Sequence, residues 1–187
     1  MEMADPRRHT ARWIAGFVLV ISAGLIAVLV ASPPAQITEA KSALLGRIAP
    51  TISGATVDGA TYRLPRSPGH YVVVNFFASW CIPCQEEGPE LVAFQFQHQQ
   101  SGDASVVSVV FSDKSSVAKA FQAQIGATWP TMSDPTGTIA LNYGVRGDPT
   151  SFIINPEGRV VSSTVSGVTA SGLDALIRKL ESQGPGR

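Results

Sequence analysis

The sequence predicts an α/β sandwich with a mixed central sheet, preceded by an N-terminal transmembrane helix. Three observations carry this. Two short runs rich in β-branched and aromatic residues, YVVVNFFA (71–78) and SVVSVVF (105–111), read as strands buried on both faces. A helical pattern follows each, and the chain then closes with an antiparallel strand pair and a last helix, an order that belongs to a layered α/β domain. Ahead of all this lies WIAGFVLVISAGLIAVLVA, residues 13–31, which contains no charged residue.

Taken from the amino terminus, residues 1–12 carry Arg7, Arg8 and Arg12. As a helix the run that follows spans about 28 Å, close to the hydrocarbon thickness of a bilayer. Positive residues stay on the cytoplasmic side, so residues 1–12 form a cytoplasmic tail, 13–31 a single-pass anchor in the cell membrane, and the body lies on the extracytoplasmic side. A cleaved signal peptide is the alternative. Its apolar region is usually shorter and ends in a small-x-small site, and SPPAQ after this run is a poor one. Residues 32–47 read as a linker, because Ser32-Pro33-Pro34 cannot continue a helix. Residues 48–183 form the folded domain and 184–187 a C-terminal tail.

At 187 residues and 44% hydrophobic, the chain suits one globular domain with extra segments. Three of its 14 basic and two of its 14 acidic residues precede residue 32, so the body is almost neutral and long-range steering of a charged partner is weak. No block of Lys and Arg with interleaved aromatics occurs, which argues against nucleic acid as a partner. Two cysteines cannot build a disulfide framework in place of a core.

Within the body, ISGATVDGATYRL (52–64) reads as a hairpin turning at Asp58-Gly59. After the first buried strand, a helix runs through EEGPELVAFQFQHQQ, with Pro89 expected to kink or restart it. SSVAKAFQAQIG (115–126) reads as a helix with Val117, Phe121 and Ile125 on its apolar stripe and Gly126 as its stop. TGTIALNYG (136–144) is a short helix. TSFIIN and RVVSSTV flank Asn155-Pro156-Glu157-Gly158, the signature of a type I turn in a hairpin. ASGLDALIRKLES closes the chain as a helix, with Leu173, Leu176, Ile177 and Leu180 on one stripe.

Both cysteines fall in FFASWCIPCQEE (76–87), where the first buried strand ends and a helix begins. A helix amino terminus, with its dipole and unpaired N–H groups, stabilises a thiolate. Cys81, the more terminal, is expected to be the more exposed, and Cys84, one turn in, to be covered. Pro83 fits the first turn because it has no N–H to lose. In an exchange pair Cys81 attacks a partner disulfide, and Cys84 then attacks Cys81 and releases the partner. Two other readings compete. A structural bridge across so short a loop restrains little chain entropy. A metal site needs more ligands, and His70 and His98 have no spacing that argues for ligation. No metal or other cofactor is expected.

Three stretches together make the sequence resemble the thioredoxin fold, and more narrowly the membrane-anchored TlpA/ResA/CcmG group of thiol–disulfide oxidoreductases. They are NFFASWCIPC, Pro89 five residues beyond Cys84, and YGVRGDPTSFIINPEGRV (143–160). The resemblance covers about residues 48–183, with 112–142 like that group's insertion, and implies a thioredoxin-like three-layer sandwich. It also implies that Pro149 is a cis proline facing the cysteines, exposing the backbone beside Asp148 to an extended substrate. Trp80, Pro83, Asp148, Pro149 and Thr150 become substrate-binding candidates, with plain core packing the alternative for Trp80. Asp148 departs from the group, which usually has an uncharged residue there. It is either an exposed loop acid or, if it faces Cys81, a group that raises that thiol's pKa. Glu87, on the same helix face as Cys84, is either a first-turn acid favoured by the dipole or the buried glutamate with which this group moves protons to and from that cysteine.

The function these readings imply is that of an extracytoplasmic thiol–disulfide oxidoreductase reducing exported proteins through Cys81 and Cys84. Apocytochrome c during cytochrome c maturation is an example of a client. Electrons would come from a membrane thiol carrier of the CcdA/DsbD kind, since the compartment is otherwise oxidising. A disulfide-forming oxidase of exported proteins is the main alternative. A peroxidase is disfavoured, because the residue three before Cys81 is Ala78 rather than threonine. A Cu(I)- or haem-delivery chaperone would need a further soft ligand, for which Met132 is the candidate in the body.

Overall fold

The computed structural model of the protein describes residues 6–31 and 42–182. Residues 1–5, most of the expected linker and the expected tail at 184–187 lie outside the described residues. Helix α1 (Pro6–Ala31) belongs to one compact unit, and everything from residue 42 onward to another. Among the described residues no helix is long and apolar enough to cross a membrane. The anchor expected over 13–31 therefore rests on the sequence.

The second unit opens with the antiparallel hairpin of β1 (Ser53–Ala55) and β2 (Thr61–Arg63). It turns where predicted, the Gly59 amide bonding the Thr56 carbonyl at 3.0 Å. The main sheet follows: β3 (Tyr71–Phe77), β4 (Ala104–Val110), β5 (Thr131–Ser133), β6 (Thr150–Ile154) and β7 (Val160–Thr164), in the order β5-β4-β3-β6-β7. β3, β4 and β5 pair in parallel, whereas β6 and β7 run antiparallel, so the sheet is mixed as expected. Helices α2 (Ile82–His98), α3 (Ser115–Ile125), α4 (Thr138–Tyr143) and α5 (Ala170–Ser182) complete the domain.

Alternation along β3 sorts its side chains into two cores. Val72, Val74 and Phe76 pack with Val107, Val109, Phe152 and α4's Tyr143 on one face. Val73 packs with Val106 and Ile153 against Leu91 and Phe94 of α2 and Leu173, Leu176 and Ile177 of α5 on the other. Each such buried side chain contributes roughly 1.5–3 kcal/mol. Phe76, Tyr143 and Phe152 form an aromatic trio with centroids 5.0–5.8 Å apart, Phe152 meeting the other two rings edge-on. These residues are core, which leaves the ends of the strands to carry the chemistry.

The structure departs from expectation in three places. α2 continues through Pro89 as one helix, so the proline does not restart it. A proline inside a helix costs about 3 kcal/mol, and burial of Leu91 and Phe94 just beyond it recovers as much. In α3 the buried residues are Ala118 and Gln122, while Val117 is exposed. Phe121 still stacks on Phe77 at 5.8 Å, and small Ala118 lets the helix lie close to the sheet. β5 was not predicted: three residues are too few to show a period, and pairing with β4 holds them extended. At the sheet's other end His98 bonds Asp103 and Asp174, each at 2.8 Å. That ring is tied to carboxylates, and among the described residues no group of His, Cys, Asp or Glu side chains could hold a metal ion.

Candidate active site

The carboxyl end of β3 delivers Ala78-Ser79-Trp80 to the amino terminus of α2. Cys81 is the N-cap, with φ −77° and ψ 112°, and its Sγ accepts the Cys84 amide at 3.3 Å. Pro83 lies in the first turn, as expected. Cys81 and Cys84 are joined as a disulfide with their Cα atoms 5.2 Å apart. The expected difference in cover does not appear in this oxidised state, since the residues are 6% and 4% exposed. The reason is packing: Phe77, Ala78, Val110 and Ala118 surround both. Their neighbours Trp80 and Ile82 are exposed, at 63% and 67%, so an apolar rim flanks the disulfide. Trp80 is therefore not core.

Side chains from elsewhere hold this turn in place. The Asp113 Oδ2, just beyond β4, accepts both the Ser79 amide at 2.8 Å and the Ser79 hydroxyl at 2.6 Å. Gln85 Nε2 donates to the Ser79 carbonyl at 2.7 Å. Trp80 Nε1 donates to the carbonyl of Ser112, a residue in the left-handed region at φ 56°. Sequence reasoning missed Asp113, Gln85 and Ser112. One signal was there: Asp113 follows a strand parallel to β3, and α/β sites gather at the carboxyl ends of such strands.

Glu87 is 3% exposed, one turn behind Cys84. Its Oε1 accepts Asn75 Nδ2 at 2.6 Å, and Asn75 also donates to Ser151 Oγ, its cross-strand neighbour on β6, at 3.2 Å. Its Oε2 is buried without a hydrogen-bond partner. Burial pushes the carboxyl up from 4.5 to about 8, against weaker pulls from the Val168 amide and the Ser151 hydroxyl. Neither pull closes a hydrogen bond to Oε2. At neutral pH Glu87 is mostly the neutral acid, which is not the state of a dipole-stabilised first-turn carboxylate.

β6 starts beside the end of β3, with Thr150 opposite Phe76, so residues 148–150 reach the same end of the sheet as the cysteines. The Asp148–Pro149 peptide bond is cis. Thr150 Oγ1 donates to the Gly147 carbonyl at 2.7 Å. Asp148 is half-buried, with Oδ1 unpartnered; burial, and then the Asp113 carboxylate, raise its carboxyl from 3.8 to about 6. It is thus neither a free surface acid nor paired. A groove of about 650 Å³ runs from Pro149 past Tyr143, Leu141 and Val165. Met132, the further soft ligand a Cu(I) site would need, is fully buried in the α4-side core and outside the cluster around the cysteines.

A sulfur capping a helix, a second sulfur one turn in and a buried acid behind it make a dithiol–disulfide centre. The chain is similar to known proteins. Residues 45–163 match the AhpC/TSA family. The chain is 36% identical over 124 residues to the thiol:disulfide interchange protein DsbE homolog of Paracoccus denitrificans, covering 64% of this chain and 65% of that protein. It is 30% identical over 158 residues to the thiol-disulfide oxidoreductase ResA of Bacillus subtilis, covering 82% and 88%. Among solved structures, a thiol:disulfide interchange protein of the thioredoxin family from Chlorobium tepidum superposes with a TM-score of 0.64 at 27% identity, covering 76% of this chain and 98% of that one. The chain belongs to the AhpC/TSA thioredoxin-fold family, and within it is a thiol–disulfide oxidoreductase of the DsbE/ResA/CcmG type.

Proposed function

We propose that this oxidoreductase works as a reductase, tethered to the cell membrane with its catalytic domain outside. The single observation that supports the direction is the placement of two acidic side chains at the end of the sheet that carries Cys81. Asp113 bonds Ser79, two residues before it, and Asp148 stands in the opposing loop. A strong oxidant of this fold owes its potential to a stabilised thiolate. Carboxylates destabilise one, so the reduced pair here gives up electrons readily.

The clients are disulfides of exported proteins, apocytochrome c being one, and the electrons come from a membrane thiol carrier of the CcdA/DsbD kind. The charge-free run 13–31 behind three arginines supports the tether and its orientation. In the reaction, the Cys81 thiolate attacks one sulfur of a client disulfide, forming a mixed disulfide and expelling the client's other sulfur as a thiolate. Cys84 gives its proton to the ionised form of Glu87, the minor form at neutral pH and the main one above about pH 8, and attacks Cys81 Sγ. The Cys81–Cys84 bond forms, the client leaves as a thiolate and takes a proton from water, and two electrons have passed to it. The exposed rim of Trp80 and Ile82, with the Asp148–Thr150 segment opposite, is where the client lies. Equilibrating the full chain with glutathione tests the direction. A potential below about −220 mV supports a reductase; one near −120 mV makes it a disulfide-forming oxidase instead.

A further inference from the structure

The two carboxylates at the exchange site are held differently. Asp113 is satisfied: its Oδ2 accepts the Ser79 amide and hydroxyl, and its Oδ1 accepts the Lys114 amide at 2.6 Å. Asp148 is not. Its Oδ1 is buried without a partner, and among the described residues no hydrogen bond or ion pair reaches this carboxylate. The charge that acts on it is the Asp113 carboxylate, which repels it. Arg146, two residues back on the wall of the same groove, is exposed and does not pair with it. A half-buried carboxylate beside a like charge is costly until a cation meets it.

The position of Asp148 says where that cation comes from. Asp148 leads into the cis bond with Pro149, and Thr150 lies opposite Phe76, at the end of the strand that runs on to Cys81. Asp148 also lines the groove of about 650 Å³, so a side chain arriving from outside has room beside it. An extended client that lies along 148–150 and brings a sulfur to Cys81 carries the residues flanking that sulfur past the carboxylate. A lysine or arginine there supplies the missing charge, whereas an acidic residue meets two carboxylates. Because the body is almost neutral, this selection acts at contact rather than by long-range attraction.

We infer that Asp148 is a specificity-determining residue: its unpartnered carboxylate selects client disulfides whose attacked cysteine is flanked by a lysine or an arginine. This rests on the proposed function, in which the chain reduces disulfides of clients lying along 148–150. The chemical step is the exchange already described, and no further bond or electron enters it.

The test uses the reduced full chain at pH 7.5 and low salt, with symmetric peptide disulfides that carry Lys, Gln or Glu beside the cysteine. Rates come from acid quench and chromatography, each divided by the rate at which glutathione reduces the same peptide. That division removes the intrinsic reactivity of the peptide. The Lys peptide should be reduced about fivefold faster than the Gln peptide and about tenfold faster than the Glu peptide. Molar salt should shrink both ratios. Asp148→Asn should bring them close to one, and Asp148→Lys should favour the Glu peptide. Each ratio is taken on a single variant, so a loss of folded protein cancels. Equal rates for the three peptides in the wild-type chain, or ratios that survive in Asp148→Asn, overturn the inference and leave the reductase standing. A wild-type chain that reduces none of the peptides overturns the proposed function, and this selection with it.

Discussion

Glu87→Gln removes one titrating proton and leaves shape and the Asn75 hydrogen bond in place, so it isolates the energetic consequence of burying this acid. Burial raises the carboxyl from 4.5 in the unfolded chain to about 8 in the fold. The fold therefore prefers the protonated form, and the contribution of this group to stability is fully present below pH 4.5. It declines as pH climbs through the folded value. At ~1.36 kcal/mol per pH unit the interval amounts to about 5 kcal/mol at most. That is a large part of the 5–15 kcal/mol typical of a domain. Urea titrations of the oxidised full chain from pH 4 to 9 read it directly. The stability of Glu87→Gln minus that of wild type should grow by roughly 3–5 kcal/mol between pH 4.5 and 8.5. Curves that stay parallel within ~1 kcal/mol would refute the claim that a neutral acid is buried behind Cys84.

Three further outcomes follow from single side chains. Asp113→Ala leaves the covered Ser79 amide and hydroxyl without their acceptor and should destabilise the fold by about 2–4 kcal/mol, with Asp113→Asn recovering part of it; thermal melts measure both. Gly158→Ala sets a Cβ against the Arg66 carbonyl at φ 82°, and chemical denaturation should show a loss of about 2–4 kcal/mol. Trp80→Ala strips the exposed rim, so stability should move by no more than about 0.5 kcal/mol while KM for a disulfide-bonded protein client rises; a KM that stays put would remove Trp80 from the docking surface.

What the sequence made legible is what periodicity and local chemistry encode. β3 and β4 stood out because burial on both faces leaves a run apolar but for Asn75 in one and its two serines in the other, and α5 because four residues share one stripe. The cysteines announced a helix start, since a strand-like run ends just before them and Pro83 fits a first turn. Contacts that depend on register across the sheet were not legible. Ser151 meets Asn75 only because β6 pairs with β3 in one alignment, and nothing in TSFIIN reveals that pairing. Asp113 reads as an ordinary loop acid until the end of β4 is laid beside the end of β3. The equal cover of the two cysteines was hidden for the same reason, because Val110 and Ala118, which help to close over both, come from β4 and α3.

The exchange mechanism requires two sulfurs of unequal reactivity although their cover is nearly the same. Rapid-quench alkylation of the reduced protein at pH 7, with each site read by mass spectrometry, compares them directly. Cys81, capping the helix, should react at least about tenfold faster than Cys84. Equal rates at the two sites would contradict the assignment of one attacking and one resolving cysteine.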